Sequence, residues 1–379
     1  MRIVMLSKAL VVGTYQRKLE ALAAIPGIEL TAVVPPSWRD PSGDVKLERI
    51  YTHGYRLLVE PIRLNGNFHL HYYPTLAQRL HEIRPDLVHI DEEPYNLATW
   101  LAIRAAKQIR ARTVLFSWQN LNRRYPFPFE QGERWALNAT DGLIAGTQSA
   151  SDVWEAKGFR GPITVIQQFG VDPDLFRPDS KDVDPAGGFV VGFVGRLVPE
   201  KGVDLLLNAF ATLPPAMRNS SRLSIVGQGP EREALERLAQ RLNIAEQVIF
   251  QGQLPSTRLP AYYRQIDLLI VPSRTQPNWK EQFGRVIVEA LACGVPVIGS
   301  DCGAIPDVVG AGGLIVPEGN CAALAEAMQG LWRDPDRRRA FGQAGRAQTL
   351  ARDTITQVAA QTAQFYTQVL ANQGRGSEG

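Results

Sequence analysis

Short apolar runs alternate with helix-type patterns along almost the whole chain, and this alternation restricts the fold more than any other feature. The first runs read RIVMLS, IELTAVV, LVHID and TVLFSW, and each is followed by a stretch of helical periodicity. Strands that are continuously apolar are buried on both faces, which is typical of parallel sheets covered by helices. The sequence therefore predicts an α/β protein with doubly wound parallel sheets.

The alternation stops once, in a segment rich in Pro, Asp and Gly, and then restarts at FVVGFVG. A length of 379 residues suits two domains of roughly 150–200 residues each. Residues 35–66 show no clear periodicity and are expected to be irregular. The predicted organisation is a first domain over 1–172, a linker over 173–187, a second domain over 188–352, a helix over 353–371 that packs back toward the first domain, and a tail over 372–379.

Composition and charge exclude several classes of function. The formal net charge is +3, which is too small to argue for a nucleic-acid partner. No apolar run approaches the roughly 18 residues of a membrane span, and the amino terminus leads straight into a strand. Three cysteines without metal-type spacing fit free thiols in the cytoplasm.

The first half of the chain is slightly basic. Residues 1–170 carry 20 Lys and Arg against 16 Asp and Glu. A solvated surface explains this excess, and a peripheral contact with the inner face of a membrane through the first domain is the alternative.

The richest segment, residues 267–303, reads DLLIVPSRTQPNWKEQFGRVIVEALACGVPVIGSDCG. A buried strand is followed by a polar loop, and Gly284 opens a short helix. The backbone amides of Phe283, Gly284 and Arg285 form the positive end of that helix, which suits an anion such as a diphosphate. Because Gly284 has no side chain, a ligand can approach the backbone closely.

Two glutamates flank this helix start. Glu281 precedes the helix, and Glu289 lies inside it among apolar neighbours, where a carboxylate is costly unless it is paired or ligand-bound. The two carboxylates can hold hydroxyl groups on either side of a diphosphate. The alternative is that Glu281 only complements the helix dipole and that Glu289 is a core residue with a basic neighbour.

Two cations follow the first strand of the second domain. Arg196 and Lys201 lie in RLVPEKG, where they would meet a diphosphate at the same rim, or else form a solvated loop. The loop is not a P-loop, because Glu200 occupies the position of the required glycine. The later GQG turn has Arg232 in place of the third glycine, which favours a tight turn next to a nucleotide over nicotinamide binding.

These motifs together resemble one known family. The strings GRLVPEKGVDLLL, LSIVGQGPE, DLLIVPS and EQFGRVIVEALACGVPVIGSD are similar to those of the retaining glycosyltransferases of family 4. The resemblance implies the GT-B fold, in which two Rossmann-like domains face each other across a cleft. It also implies sugar transfer from a nucleotide-diphosphate-sugar donor to a glycan or lipid-linked acceptor. The Trp-Gln-Asn string at residue 118 resembles a bacterial subgroup that builds exopolysaccharides.

The resemblance implies roles for matching positions in the donor site. Arg196 and Lys201 would bind the diphosphate and stabilise it as it leaves, while Glu281 would contact hydroxyls of the sugar. Glu289 would hold the nucleotide ribose. The remaining donor-binding positions would offer backbone rather than side chains: Phe283, Gly284 and Arg285 on the second domain, and Gly13 in the first turn of the first domain, where an ordinary tight turn is the alternative.

The chain departs from the family on the acceptor side. Many members carry a histidine just after the strand TVLFSW, but this chain continues with Gln119 and Asn120, and an amide cannot transfer a proton as imidazole does. Asp91, with Glu92 and Glu93, closes the preceding strand. These carboxylates are candidates for binding acceptor hydroxyls or for acid–base work, or they form a solvated strand end.

No metal site is predicted. The Asp-x-Asp pairs at 172–174 and 182–184 fall in or near the linker, and His69 and His71 alternate on an expected extended segment without a third ligand. No cofactor is expected, because the nucleotide sugar is a substrate. Two other functions stay open: a nucleotide-sugar epimerase of the same fold, which would need no acceptor, and a non-catalytic protein that binds a nucleotide sugar.

Overall fold

A computed structural model describes residues 1–40, 43–178 and 188–372, and the chain divides into two compact units. The first unit contains Met1–Gly170 together with the segment that starts at Ile355, and the second contains Val171–Thr354. Most of the predicted linker, residues 179–187, and nearly all of the predicted tail, residues 373–379, lie outside the described residues. In the described ranges, no helix combines the length and apolar character that crossing a membrane requires.

The first unit is built on a seven-stranded, fully parallel sheet in the order β5-β2-β1-β6-β7-β8-β9. Its strands, with an added hairpin β3–β4, are β1 Arg2–Leu6, β2 Glu29–Val34, β3 Ser37–Asp40, β4 Gly43–Lys46, β5 Arg56–Val59, β6 Leu87–Ile90, β7 Arg112–Ser117, β8 Gly142–Ala145 and β9 Ile163–Val165. Its first helices are α1 Arg17–Ala23, α2 Leu76–Ile83, α3 Leu97–Gln108, α4 Phe129–Ala139 and α5 Gln148–Ala156. The apolar runs of the sequence thus form the strands as expected, because each is covered by helices on both faces.

The expectation of an irregular segment over residues 35–66 is only partly right, because three short strands form within it. Strands β3 and β4 pair as an antiparallel hairpin, and β5 adds in parallel to β2 at the edge of the main sheet. These three strands are only four residues long, and the hairpin strands SWRD and GDVK are largely polar. Pairing with neighbouring strands, rather than an apolar pattern, therefore determines their structure.

The second unit contains a six-stranded parallel sheet in the order β12-β11-β10-β13-β14-β15. Its strands are β10 Phe189–Val194, β11 Ser221–Val226, β12 Val248–Gly252, β13 Leu268–Val271, β14 Val297–Ser300 and β15 Gly313–Val316. Its helices are α6 Val203–Ala211, α7 Pro215–Asn219, α8 Arg232–Arg241, α9 Leu259–Tyr263, α10 Arg285–Ala292, α11 Ile305–Val309, α12 Cys321–Arg333 and α13 Pro335–Arg352.

Each sheet changes direction at its first strand. Strand β10 lies between β11 and β13, and β1 lies between β2 and β6, so the loops after these strands diverge to opposite sides. The carboxyl end of such a switch point is where ligands bind in open α/β sheets. The loops after β10 and β13 therefore define the candidate site of the second unit, and those after β1 and β6 define that of the first.

The last helix, α14 Ile355–Ala371, belongs to the first unit although it follows the second in the chain. It packs on α1 and β7, and Val358, Phe365 and Tyr366 are buried in the same apolar cluster as β1 and β2. The Tyr366 hydroxyl lies 2.5 Å from Nδ1 of His89 on β6. Burial lowers the pKa of His89 well below its usual value, so this histidine is a neutral core residue.

Gly227, at the end of β11, allows two backbone segments to approach closely. Its φ is +147°, and a Cβ there would lie 1.8 Å from the carbonyl oxygen of Gly195. Gly227→Ala should therefore destabilise the protein by about 3 kcal/mol or more, because a strained backbone is combined with a backbone clash. Gly319→Ala is the matched control, since Gly319 has φ +76° but open space around it. Denaturant unfolding of both variants tests the prediction, and equal losses of stability would contradict it.

Candidate functional site

An ion pair joins the two switch-point loops of the second unit. Lys201 Nζ, in the turn after β10, lies 2.5 Å from Oε2 of Glu281, in the loop after β13. The Ser273 hydroxyl donates to the same carboxylate oxygen at 3.1 Å, and the Lys201 ammonium lies 4.9 Å from the centre of the Trp279 ring. Glu281 is 7% exposed, so its charge is held by these partners rather than by bulk water. Sequence reasoning placed the lysine and the glutamate near one ligand but did not predict their direct contact.

Backbone contacts fix the position of both partners. Gly202 follows Lys201 with φ +67°, and a Cβ there would lie 2.1 Å from the carbonyl oxygen of Pro272. On the other side, the amide of Ala304 donates to the carbonyl of Glu281 at 3.1 Å. The turn after β10 is thus held against the end of β13, and the glutamate is held by the loop after β14.

Arg274 ties the two loops together, and sequence reasoning missed it. Its guanidinium donates to both carboxylate oxygens of Asp204 at 2.6 and 3.2 Å, and to the carbonyl of Pro199 at 2.8 Å. Its amide also donates to the carbonyl of Glu200 at 2.8 Å. A two-pronged arginine contact fixes orientation as well as distance. The Lys201 turn and the Glu281 loop therefore form one rigid assembly.

Helix α10 begins directly behind this assembly. Gly284 caps the helix with φ +76°, a conformation that favours glycine, and the helix starts at Arg285. Four amide groups at a helix start lack partners within the helix, and they point toward whatever lies in front of it. The structure thus places Phe283, Gly284 and Arg285 at the positive end of a helix, beside Glu281.

Glu289 lies one turn further along α10, facing the interior. Its Oε1 is 2.9 Å from Nε of Arg285, and its Oε2 accepts a hydrogen bond of 2.9 Å from the Tyr263 hydroxyl. Burial raises the pKa of Glu289, and the Arg285 charge and the Tyr263 hydroxyl only partly offset this. Arg285 is thus the basic neighbour expected if Glu289 is only a core residue. The Glu289 carboxylate also lies one turn behind the helix start, as expected if it binds a ligand there.

Arg196 differs from Lys201 in its surroundings. It directly follows β10 and Gly195, and its side chain is exposed to solvent. A flexible, exposed arginine at a helix-flanked rim is available to an anion without breaking an existing buried pair.

The carboxylates after β6 have separate partners in the first unit. Asp91 accepts hydrogen bonds from the Ser7 hydroxyl at 2.5 Å and from the Gln168 amide at 2.7 Å, and burial raises its pKa. Glu92 contacts the Lys8 ammonium and lies 3.3 Å from Nε2 of His71. Burial alone would raise the pKa of Glu92, but the Lys8 ammonium and the contact with the His71 ring lower it to about 2. The alternative of a freely solvated acidic strand end is therefore wrong for both.

Glu93, the third carboxylate of this group, has a pKa close to neutrality. It accepts hydrogen bonds from the Ser117 hydroxyl at 2.5 Å and from the amide of Trp118 at 3.0 Å. Burial raises its pKa to about 7 despite these two donors. A carboxyl group with this pKa can hold or release a proton at physiological pH.

Gln119 and Asn120 follow β7 beside this group. The Gln119 side chain is buried, and its amide donates to the carbonyl of Leu121 at 3.1 Å, while its Oε1 is buried without a hydrogen-bond partner in the described part of the chain. Asn120 is half-buried. The structure thus brings Asp91, Glu93 and Gln119 to one edge of the sheet.

Gly13 lies in the first turn after β1, but a side chain covers it. Its amide donates to Oε2 of Glu48 at 2.7 Å, and a Cβ on Gly13 would lie 2.5 Å from Cδ1 of Ile50. The carboxylate of Glu48 thus occupies the place where the sequence led us to expect a phosphate. The role of Gly13 remains a prediction.

The expectation of an extended segment is wrong for His69, which lies in a turn, and His71 follows that turn outside any strand. His71 is fully buried between Trp38 and Glu92, and His69 packs on Tyr125 and Phe129. Within residues 1–40, 43–178 and 188–372, no three His, Cys, Asp or Glu side chains group as metal ligands. The aspartates at 182 and 184 lie outside the described residues.

The raised pKa of Glu93 predicts a pH-dependent stability. The folded protein binds a proton at Glu93 up to a pH of about 7, whereas an unfolded glutamate releases it near pH 4.3. The stabilisation that protonated Glu93 contributes is complete below the pKa of the unfolded glutamate, about 4.3, and is lost as the pH rises through the pKa in the folded protein, about 7. Glu93→Gln mimics the protonated form at every pH. The melting temperature of this variant minus that of the wild type should therefore increase as the pH rises from roughly 4 to 8.

Calorimetry of the two proteins across that range measures the difference. Ser117→Ala removes a donor that lowers the pKa of Glu93, so it should move the transition to higher pH. A melting-temperature difference between Glu93→Gln and wild type that does not change with pH would contradict the assignment.

Two family profiles match the chain in series. Residues 16–175 match the profile described as Glycosyltransferase Family 4, and residues 179–348 match that described as Glycosyl transferases group 1. The two matches correspond to the first and second units, respectively.

Curated relatives are similar to parts of the chain. A GDP-mannose-dependent alpha-(1-6)-phosphatidylinositol monomannoside mannosyltransferase of Mycolicibacterium smegmatis is 36% identical over 199 residues, which is 49% of this chain and 52% of that protein. D-inositol 3-phosphate glycosyltransferase 2 of Catenulispora acidiphila is 36% identical over 254 residues, which is 62% of this chain and 58% of that protein. The chain thus spans about half the length of the curated relatives it matches.

Solved structures are similar over nearly the full length. Sucrose-phosphate synthase from Thermosynechococcus elongatus gives a TM-score of 0.73 at 23% identity, covering 98% of this chain and 100% of that one. Anabaena HepE in complex with UDP gives 0.75 at 21% identity, covering 97% and 100%. These similarities show the fold, which is GT-B. With both family profiles matched along the chain, this protein belongs to the family 4 glycosyltransferases of the GT-B fold.

Proposed function

We propose that this protein is a retaining glycosyltransferase that moves a sugar from a nucleotide-diphosphate-sugar donor to a glycan or lipid-linked acceptor. One observation carries the proposal: the Lys201–Glu281 pair lies directly in front of the α10 amino terminus, and the Glu289 carboxylate lies one turn behind it. The cation and the helix start suit a phosphate group, and the two carboxylates suit hydroxyl groups of a ring on each side of that phosphate.

In this proposal the second unit binds the donor. The diphosphate is held by Lys201, by the exposed Arg196 and by the amides of residues 283–285 at the start of α10. Glu281 accepts hydrogen bonds from the sugar hydroxyls, and Glu289 accepts them from the ribose. In the described structure Lys201 is neutralised by Glu281, so an arriving diphosphate shares this lysine and redirects the glutamate toward the sugar.

The chemical step follows from these positions. The bond between the anomeric carbon and the β-phosphate oxygen breaks while the acceptor oxygen bonds to the same carbon, and retention requires attack from the face that the phosphate leaves. The proton of the acceptor hydroxyl passes to the departing phosphate oxygen. Lys201 and Arg196 stabilise the negative charge that develops on the diphosphate.

The acceptor is proposed to bind to the first unit. Asp91, Glu93, Gln119 and Asn120 lie at or beside the carboxyl ends of β6 and β7, where acceptor hydroxyls would meet carboxylate and amide groups. Glu93, with its pKa of about 7, is a second group that can exchange a proton, and it follows the strand next to β7, after which Gln119 stands where the resemblance predicts a histidine. Oε1 of Gln119 is buried and has no hydrogen-bond partner among the described residues, which supports a ligand contact at this edge.

The biological setting is proposed from the named relatives. Relatives that act on phosphatidylinositol mannoside and inositol phosphate favour a hydroxyl-rich, phosphate-bearing acceptor, and the resemblance to the exopolysaccharide subgroup favours a role in polysaccharide biosynthesis. A cytoplasmic protein at the inner face of a membrane would meet such acceptors. Mannose is the donor sugar in one relative, and UDP is bound in one solved structure.

A thermal-shift screen of the full chain against uridine-, guanosine- and adenosine-diphosphate sugars tests the donor half. The diphosphate sugars of one of the three nucleosides should raise the melting temperature of the wild type. The same compounds should not raise the melting temperature of Lys201→Met. Proton NMR of the product formed from that donor then reads the anomeric configuration, which should match that of the donor.

Two outcomes would overturn the proposal. Isomerised nucleotide sugar formed from donor alone would identify an epimerase. A donor that binds tightly but is never transferred to any member of a broad acceptor panel would identify a non-catalytic binding protein.

A further inference from the structure

Exposed apolar side chains concentrate on one side of the first unit. Phe127 is 81% exposed, and three segments contribute six large exposed apolar residues, more than half of those in the described chain. These residues are Leu64, Phe68 and Leu70 in the loop after β5, Leu101 on α3, Phe127 just before α4, and Trp135 on the outer face of α4. Soluble surfaces rarely carry such a concentration without a partner.

The three segments are neighbours in the fold. His69 packs on Tyr125 and Phe129 at ring distances of 5.9 and 5.0 Å, which joins the loop after β5 to the segment before α4. Trp100 packs on Phe129 at 6.1 Å, and a Cβ on Gly132 would lie 1.9 Å from the Trp100 ring, which joins α3 to α4. The exposed apolar residues thus belong to one continuous side of the unit, here called the apolar-basic face.

The same segments are strongly basic. Residues 61–72, 97–108 and 121–135 contain six arginines and lysines but only two acids. The cations are Arg63, Arg104, Lys107, Arg123, Arg124 and Arg134, and all are exposed. Both acids are neutralised: Glu133 is paired with Lys157 at 2.6 Å, and Glu130 lies 3.4 Å from Arg134. A cavity of about 190 Å³ opens among Arg123, Arg124 and Arg134, and the two paired glutamates, Glu130 and Glu133, also line it.

We propose that the apolar-basic face docks on the surface of an anionic phospholipid bilayer, with Phe127 and Trp135 inserted at the headgroup level. Exposed aromatic side chains surrounded by long basic side chains match a surface that is negatively charged outside and apolar beneath. Exposed arginines on all three segments match an extended anionic surface better than the mixed charges on the surface of an ordinary protein. The proposal adds a membrane surface to the lipid-linked acceptor proposed above, and its test is independent of sugar transfer.

Sedimentation of the full chain with vesicles tests the proposal. The wild-type protein should bind vesicles of phosphatidylcholine with about one third phosphatidylglycerol at low salt, should bind much less to phosphatidylcholine alone, and should be released by salt. Arg123→Glu with Arg124→Glu should lower binding by about tenfold or more, because each basic residue contributes roughly a factor of five. Phe127→Ser should lower it by about tenfold through lost insertion.

Matched controls lie in the second unit. Arg237→Glu with Arg241→Glu reverses two exposed arginines on α8, and Ile249→Ser removes an exposed apolar side chain on β12. These variants should bind vesicles like the wild type. Melting temperatures within a few degrees of the wild type confirm that all variants are folded. Absence of wild-type binding to the anionic vesicles, or equal losses in the control variants, would overturn the proposal, whatever the outcome of the transfer assays.

Discussion

Lys201→Met should lower the turnover of sugar transfer by about a hundredfold or more while leaving the protein able to fold. The ammonium is the partly buried cation that pairs with Glu281 in the candidate donor site, and removal of one preorganised charge-stabilising group costs about 10²–10³ in turnover in other enzymes. Glu281→Ala should cause a loss of comparable size through misplacement of the sugar. Initial rates at saturating donor and acceptor measure both effects.

A stability measurement separates catalysis from folding. Lys201→Met leaves the buried Glu281 carboxylate with Ser273 but without its ammonium partner, which should cost about 3–5 kcal/mol of unfolding free energy. Adding Glu281→Gln to that variant removes the unpaired charge, so the double variant should regain most of the stability but none of the turnover.

Lys280→Met is the matched control, since Lys280 is a part-buried lysine of the same loop. It should keep both its stability and its rate. Near-wild-type transfer by Lys201→Met or Glu281→Ala, with the true donor and acceptor, would remove both residues from the site.

Glu289→Ala should weaken binding of the donor nucleotide by about ten- to a hundredfold. Hydrogen bonds to a charged group are worth about 1.5–3 kcal/mol, and a ribose would contribute its hydroxyls to this carboxylate. Isothermal titration with the free nucleoside diphosphate measures the loss without interference from the acceptor.

Tyr263→Phe is the control for Glu289, because it removes the hydroxyl that donates to the carboxylate but leaves the carboxylate in place. It should reduce stability modestly and keep most of the nucleotide affinity. If Glu289→Ala binds nucleotide as tightly as the wild type, Glu289 is a core residue that serves only to pair with Arg285 and Tyr263.

Much of the second unit could be predicted from the sequence because its pattern is local. The apolar strand before Pro272, the polar loop and the glycine at residue 284 lie within one short segment, so strand, loop and helix follow in order. The alternation of strands and helices likewise predicted both parallel sheets, and the structure and the family matches confirm the GT-B architecture.

What the sequence missed depends on contacts between distant residues. Lys201 and Glu281 are 80 positions apart, and the Arg274–Asp204 tie spans 70, so neither pair leaves a periodic signal. The Glu48 carboxylate over Gly13 comes from a stretch whose short strands form only by pairing with β2 and with each other.

The carboxylates after β6 show the same dependence on distant partners. Glu92 and Glu93 are adjacent, yet one titrates near pH 2 and the other near pH 7. Lys8 and His71 surround the first, whereas Ser117 and the amide of Trp118 surround the second. The pKa values of these two adjacent glutamates therefore differ because the fold gives each of them different partners.

The position of α14 has a consequence for how this chain matures on the ribosome. The helix that fills the first unit with Val358, Phe365 and Tyr366 is synthesised only after the whole of the second unit. A nascent chain that has emerged only to Gly170 still exposes the apolar surface of α1 and β7 that α14 later covers. The first unit can therefore be completed only after the second unit has been made, and until then its uncovered apolar surface is prone to aggregation.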